Sequence, residues 1–324
     1  MRVLLTGGAG YIGSHTAAML LDKGHAVVVY DNLSTGFQEA IPKGVDFVFG
    51  DVLDRTLMAE TLKKFNIDSV IHFAAKSVVP ESIEKPVEYY ACNTGGMLSL
   101  LQACKEASVT NVVFSSTAAV YGDGAGVFSE TSSTSPLNPY GMSKLMAEKI
   151  LQDSGKSGDL KYMILRYFNV AGAQVGGGNG QRTKSATHLV KVAVEAACHK
   201  RESVSIFGSD YATIDGTGVR DYIHVEDLAE LHILALSHLS KGGKSDIINC
   251  GYGVGFSVRQ VLNAVKKVSK SDFQIIESSR RMGDVGMVIA DCSKVKNLFA
   301  WVPQRNNLEL ICETAYKWEQ GLEN

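Results

Sequence analysis

Apolar and polar positions fall in blocks along the first half of the chain, and the blocks switch between two periods. Val3–Thr6 is a short apolar run that predicts a strand. Tyr11–Lys23 places Ile12, Ala17, Leu20 and Leu21 at helical spacing, with Gly24 just past the end as a C-cap. Ala26–Tyr30 is a continuous apolar run rich in valine. Asp46–Phe49 and Ser69–Phe73 repeat the strand signal, with helical Thr56–Phe65 between them. Val87–Ala107 reads as one long helix opening at Pro86, a first-turn proline. Asn111–Ser115 predicts a strand, Pro139–Leu151 a helix and Lys161–Arg166 a strand. Apolar strands alternating with helices imply βαβ units and a parallel sheet buried on both faces.

After Arg166 the rhythm breaks. Gly172–Thr183 is a glycine-rich polar loop, and its Gly176–Gly180 cluster predicts flexibility rather than a binding site. His188–His199 and Val258–Val268 read as helices, Ser203–Phe207 and Asp246–Cys250 as strands. The expected fold class is α/β: a doubly wound parallel sheet over 1–169, then a smaller C-terminal α/β unit over 170–324. The second unit is expected to be discontinuous, with later segments returning to the first.

Composition narrows the function classes. The 324 residues are 45% hydrophobic and 20% charged, ordinary for a globular chain. Lysine plus arginine is 32 against 34 aspartates and glutamates, so no basic field for nucleic acid or an anionic membrane surface is expected. The six cysteines are scattered without a Cys-x-x-Cys pair, and the histidines show no ligand spacing, so no metal site is expected. With no apolar leader and no membrane-length apolar run, the expected address is the cytoplasm. The informative count is glycine, 32 in all and clustered at the start.

Gly7, Gly10 and Gly13 follow the first strand and open the first helix. Such a turn lets the backbone approach a pyrophosphate, and the helix N-terminus offers free N–H groups to the anion. That context makes the sheet Rossmann-type and the ligand a dinucleotide. Asp31, at the end of the second strand, can accept from an adenosine ribose and would repel a 2′-phosphate, favouring NAD over NADP. Asp51-Val52, after the third strand, can reach the adenine edge.

A second constellation carries chemistry. Tyr140 and Lys144 stand four apart and share a helix face. Taken alone this spacing is also that of an ordinary surface pair. A free phenol ionises near pH 10, too high for a base at neutral pH. A neighbouring ammonium, or a bound oxidised nicotinamide, favours the phenolate and makes tyrosine a workable base toward a hydroxyl. Ser115-Ser116-Thr117 ends a buried strand, where sheets of this kind line their ligand crevice. Thr117 can share the substrate hydroxyl that Tyr140 deprotonates.

Thr6–His15 with Asp31-Asn32-Leu33, Ser115–Gly122, and Tyr140-x-x-x-Lys144 resemble the extended short-chain dehydrogenase/reductases. Within that superfamily the chain is similar to the UDP-glucose 4-epimerases, also called UDP-galactose 4-epimerases. Ile71–Ala75, Leu165–Asn169, Phe207–Tyr211, Asp215–Val225 and Arg280-Arg281-x-Gly283-Asp284 extend the likeness over nearly the whole chain. The resemblance implies a redox-neutral reaction. Tyr140 takes the proton of the sugar 4-hydroxyl while hydride passes to NAD. The transient 4-keto sugar turns over and is reduced on its other face, interconverting UDP-galactose and UDP-glucose. Thr117 would orient the hydroxyl, and Lys144 would bind the nicotinamide ribose and tune Tyr140. Gly7, Gly10, Tyr11, Ile12, Gly13, Asp31, Asn32, Asp51, Val52, Phe73, Ala74, Asn93, Tyr140, Lys144 and Phe168 match positions that contact NAD. Thr117, Asn169, Leu189, Phe207, Arg220, Arg281, Asp284 and Val288 match positions on the UDP-sugar. A homodimer through the helices around Val87–Ala107 and Pro139–Leu151 is implied as well.

Four positions depart from the family pattern, the mildest being Thr117, where the family often has serine and threonine keeps the hydroxyl. Lys76 is one place away from a lysine that touches the cofactor phosphate, and Ser77 fills its slot. His188 replaces an asparagine beside the UDP group. Val288 stands where a large aromatic restricts the site to unacetylated sugars, so UDP-N-acetylhexosamines are expected to fit too. A 4,6-dehydratase on the same scaffold would need an Asp-Glu pair after Thr117, and Ala118-Ala119 cannot exchange protons. Epimerisation of UDP-glucuronate stays open. A catalytically silent NAD sensor would be expected to lose Tyr140 or Lys144, and both are present.

Overall fold

The structure is a computed structural model that describes residues 1–122, 124, 126–183, 186–281 and 284–322. The first strands are β1 (Arg2–Thr6), β2 (Ala26–Asp31), β3 (Asp46–Phe49), β4 (Ser69–His72), β5 (Asn111–Thr117), β6 (Gly126–Phe128) and β7 (Lys161–Tyr167). They are followed by β8 (Asn169–Ala171), β9 (Ser203–Phe207), β10 (Val219–His224), β11 (Asp246–Cys250), β12 (Gly255–Ser257), β13 (Gln274–Ser278) and β14 (Met287–Ala290). The earlier helices are α1 (Tyr11–Asp22), α2 (Arg55–Lys64), α3 (Val79–Glu84), α4 (Pro86–Tyr89), α5 (Gly96–Glu106) and α6 (Pro139–Lys156). The later ones are α7 (Leu189–Ala197), α8 (Val225–Ser240), α9 (Val258–Ser269), α10 (Ser293–Phe299) and α11 (Leu308–Gly321). The chain forms two compact units. One comprises Met1–Gly122, Ser133–Arg166 and Ala229–Ile248, the other Asp123–Ser132, Tyr167–Leu228 and Asn249–Asn324.

The first unit is built on a seven-stranded sheet in the order β11-β7-β5-β4-β1-β2-β3. The pairs from β5 through β4, β1 and β2 to β3 are parallel. Val3, Leu4 and Leu5 of β1 are all 0% exposed. Successive strand residues point to opposite faces, so both faces of the sheet are covered. Leu4, Val28, Val70, Val112 and Ile164 from five strands share one core cluster with Met58, Leu100 and Leu151 from three helices. The strand order reverses between β1 and β4, and a doubly wound sheet binds its ligand outside the strand ends at such a point.

The second unit carries β12-β10-β14-β6, with β8 pairing β10, and a separate parallel pair β13-β9. Helices α7, α9 and α11 pack on one another. Ser257 and Gln260 form a reciprocal cap that starts α9.

The long helix expected over Val87–Ala107 follows its predicted path but is not uniform. Tyr90–Gly95 is a π-turn between α4 and α5. Such single wide turns accommodate an extra residue and recur at functional sites. Here the turn points Asn93 inward, where its Nδ2 donates to the Lys76 carbonyl (3.0 Å) and to Ser143 Oγ (2.9 Å). Helices α8 and α11 go beyond the sequence reading. Leu228, Leu231, Ala235, Leu236 and Leu239 do recur at helical spacing, so the signal for α8 was present.

Candidate functional site

In the first unit the glycine loop closes onto the end of β4. Gly7 has φ +69°, and a Cβ there would stand 2.5 Å from the Ala74 nitrogen. Phe73 and Ala74 both donate from their backbone to the Thr6 carbonyl, at 2.9 and 3.1 Å. Gly13 is as tightly held, its hypothetical Cβ 2.4 Å from the Gly7 oxygen. The result is a bare main-chain cradle at the start of α1. Gly10 is the N-cap and brings no side chain, and the first turn, with Tyr11 and Ile12, holds no acidic residue. The positive end of the helix dipole and its N–H groups therefore face an anion without competition from a carboxylate of that turn.

Asp31 lies beside this cradle. Its Oδ2 accepts from the Ala9 amide (3.0 Å) and its Oδ1 from the Leu33 amide (2.8 Å). Burial pushes its carboxyl above the ordinary value, and the two amides pull it back. Asn32 donates to Asp51 at 2.8 Å, so the expected ribose and adenine positions form one edge. Val52 packs beneath, 2.9 Å from a Cβ built on Gly96. A dinucleotide with a pyrophosphate fits this set: a Cβ at Gly7 or Gly13 would fill the space, and a carboxylate waits at the ribose edge.

The second constellation is also assembled. Asn138 caps α6 by accepting from the Gly141 amide (2.9 Å), and Pro139 opens its first turn. Tyr140 is thereby fixed in that turn and buried. Gly141 lets the turn approach the segment after β5, since a Cβ there would stand 2.6 Å from the Ala119 carbonyl. Thr117 hydrogen-bonds Tyr140. Lys144 donates from Nζ to the Ser115 carbonyl at 2.8 Å and lies 4.8 Å from the Phe114 ring centroid.

The electrostatics differ from the sequence expectation. Burial raises the Tyr140 hydroxyl above the ordinary phenol value, and the Thr117 hydrogen bond only partly opposes it. The Lys144 ammonium donates to the Ser115 carbonyl. Lys144 is itself pushed down to about 8 by burial, against the pull of Cys92 and Glu148. Lys76, not counted as a cofactor residue, turns its ammonium to Glu88 (2.8 Å) and Glu81 (3.9 Å). Its backbone amide donates to Asn93.

The second unit holds the remaining candidates, Phe168 among them. Asn169, His188 and Leu189 line one cavity with Tyr222 and Trp318. His188 Nδ1 sits 3.2 Å from Gln181 Nε2, and burial lowers its pKa. Arg220 on β10 is registered opposite Val288 on β14. Its Nη1 donates to the Val219 carbonyl at 2.9 Å. Arg281 stacks on Phe207, its guanidinium carbon 3.6 Å from the ring centroid. Asp284 donates its amide to the Arg281 carbonyl (3.2 Å), while Gly283 lies outside the described residues. Tyr211 is a residue the sequence reading left without a role. It carries the Arg280 guanidinium at 4.0 Å, and its buried hydroxyl has no partner among the described residues. All six cysteines are free thiols. Among the described residues no group of three His, Cys, Asp or Glu is placed to hold a metal, and no helix is long and apolar enough to cross a membrane.

Residues 3–251 match the model of the NAD dependent epimerase/dehydratase family. The chain belongs to that family. Among members of the NAD-dependent epimerase/dehydratase family, it is 49% identical to a UDP-glucose 4-epimerase of Azospirillum brasilense, covering 99% of this chain and 93% of that one. It also superposes on the UDP-glucose 4-epimerase of Brucella ovis in complex with NAD, with TM-score 0.95, 42% identity and 99% of each chain covered. The UDP-Glc/GlcNAc 4-epimerase of Campylobacter jejuni gives TM-score 0.87 and 44% identity, again over 99% of each chain. Family membership accounts for the spacing of the glycine loop and of Thr117, Tyr140 and Lys144 together.

Proposed function

We propose that this chain interconverts UDP-galactose and UDP-glucose by epimerisation at C4, with NAD as cofactor. The observation that carries the reading is the buried Tyr140 and Lys144 face of α6, tied to the end of β5 through Lys144 and Ser115, on the same compact unit as the glycine cradle. When bound, NAD supplies reversible two-electron oxidation of the carbon bearing the hydroxyl and, oxidised, a positive charge that favours a phenolate. Tyr140 Oη takes the hydroxyl proton and returns it after the sugar has turned. Thr117 orients that hydroxyl, and Lys144 binds a ribose. Gly7, Gly10, Tyr11, Ile12 and Gly13 hold the pyrophosphate, and Asp31, Asn32, Asp51 and Val52 the adenosine end. Phe73, Ala74, Asn93 and Phe168 complete the NAD set.

In the second unit Arg220 and Arg281 fork onto the diphosphate, Asp284 accepts from the uridine ribose, and Asn169, Leu189 and Phe207 line the UDP group. Val288 leaves room at the sugar 2-position, so UDP-N-acetylhexosamines are turned over as well; the likeness to a UDP-Glc/GlcNAc 4-epimerase supports this. Exposed Val87, Leu98 and Met146, on the helical stretches around α5 and α6, support a homodimer, which light scattering would test. Six free thiols support a cytoplasmic address.

The deciding experiment incubates the purified protein with UDP-galactose without added NAD and measures UDP-glucose. Conversion establishes both the activity and a retained cofactor. No conversion even with NAD supplied defeats the reading.

A further inference from the structure

We propose that Glu148, gripped by Arg166 and Ser116, is a positioning residue that sets the Thr117–Tyr140 pair and the Lys144 side chain beside it. The proposal rests on the reading of Tyr140 as the base. Tyr140, Lys144 and Glu148 recur every four residues on α6 and form one buried stripe, 7%, 2% and 0% exposed. Three successive residues at the end of β5 meet that stripe. The Ser115 carbonyl accepts from Lys144, Ser116 Oγ donates to Glu148 Oε1 at 2.5 Å, and Thr117 bonds Tyr140. From the neighbouring strand β7, Arg166 closes on the same carboxylate with two prongs, Nε to Oε1 at 3.0 Å and Nη2 to Oε2 at 2.6 Å. Its guanidinium carbon also lies 5.0 Å from the Tyr121 ring centroid. One carboxylate thus ties the catalytic helix to two adjacent strands.

Stability alone is a poor reason for this arrangement. A fully buried ion pair loses in desolvation about as much as it gains, and an apolar pair would seal the same contact. What an apolar pair would not provide is a charge one helical turn from Lys144. Near Lys144, His72 is pushed down to about 3 and Tyr140 is raised, so neither carries charge at pH 7, and Arg166 is a further cation. The groups that oppose the burial of the lysine are Cys92 and Glu148, and Glu148 is the carboxylate of the two.

Glu148→Gln keeps the size and an acceptor oxygen but removes the charge. The pKa of Lys144, followed by NMR of its labelled ammonium, is expected near 8 in the wild type. In Glu148→Gln it is expected to fall by about one unit. The alkaline limb of the kcat/KM profile moves down by the same amount. Glu148→Asp restores the charge but shortens the reach, so the limb returns toward the wild type while kcat falls roughly tenfold. Ser116→Ala leaves the limb in place and lowers kcat roughly tenfold without raising KM for UDP-galactose. An unchanged lysine titration in Glu148→Gln overturns the proposal. If that variant does not fold, Ser116→Ala decides: wild-type kcat overturns the proposal, and reduced kcat at unchanged KM supports it. The base assignment fails separately, if Tyr140→Phe keeps its activity.

Discussion

The candidate sites of the two units are built by different means. In the first, the cradle is main chain: Gly7 and Gly13 are pressed against backbone atoms of Ala74 and Gly7. In the second, the candidate anion-binding groups are long side chains, with Arg281 laid on Phe207 and Arg220 beside Val288 across two strands. A backbone site is fixed by the path of the chain and has no room for a methyl group. A side-chain site is set by rotamers and stacking, so single replacements retune it. The first unit should therefore respond to substitution by failing, the second by changing preference.

The largest expected effect lies in the first unit. Tyr140→Phe should lower kcat by about 1,000-fold while the purified protein retains its NAD, read from turnover and from cofactor released on denaturation. Retained activity would break the assignment. Next is Gly13→Ala, whose new methyl meets the Gly7 oxygen at 2.4 Å. It should purify with little or no cofactor, measured by the same release. In the second unit Arg281→Lys keeps the charge but loses the planar stack on Phe207. Its KM for UDP-galactose should rise roughly tenfold with kcat nearly unchanged. Loss of kcat instead would mean that the two units do not divide the work in this way. Val288→Phe sharpens the contrast: turnover of UDP-N-acetylglucosamine should vanish while that of UDP-galactose changes by less than about threefold.

The smallest effect at neutral pH concerns His72, buried beside β1 with its Nδ1 2.6 Å from Thr6 Oγ1. Its pKa is pushed down to about 3, chiefly by burial, with Lys144 adding to it. Its unfolded value is 6.5, so between 6.5 and 3 the unfolded chain binds the proton that the folded chain refuses. Stability should fall as pH drops through that window. Thermal unfolding of His72→Asn should show a shallower decline.

The first unit was largely legible because its elements are local. Apolar runs such as Val27–Val29 and Val112–Phe114 announce buried strands, and the glycine loop sits between a strand and a helix as its chemistry demands. The second unit was not. Strands β6, β8 and β12 are three residues each, and β10 is paired by segments from three different stretches of chain. Spacing cannot announce such non-local pairing. Candidate residues there came from motif resemblance, whereas Tyr140 and Lys144 had a helix period behind them. Glu148 shared that period and was overlooked, because a carboxylate on a helix ordinarily faces water. Electrostatics were least legible. That Lys144 would spend its charge on the Ser115 carbonyl depends on a contact between α6 and β5 that no local pattern encodes.

The wide turn at Tyr90–Gly95 makes Pro86–Glu106 a run with one residue too many for its turns. Deleting one residue within the turn would let it relax to regular pitch and leave the downstream turns in phase. Met97, wholly enclosed, would stay on the covered side and Leu98, 47% exposed, on the open one. What would be lost is the inward position of Asn93 and its bonds to Lys76 and Ser143. The inserted residue is thus a local device: it aims one side chain while the following turns keep their apolar face on the sheet.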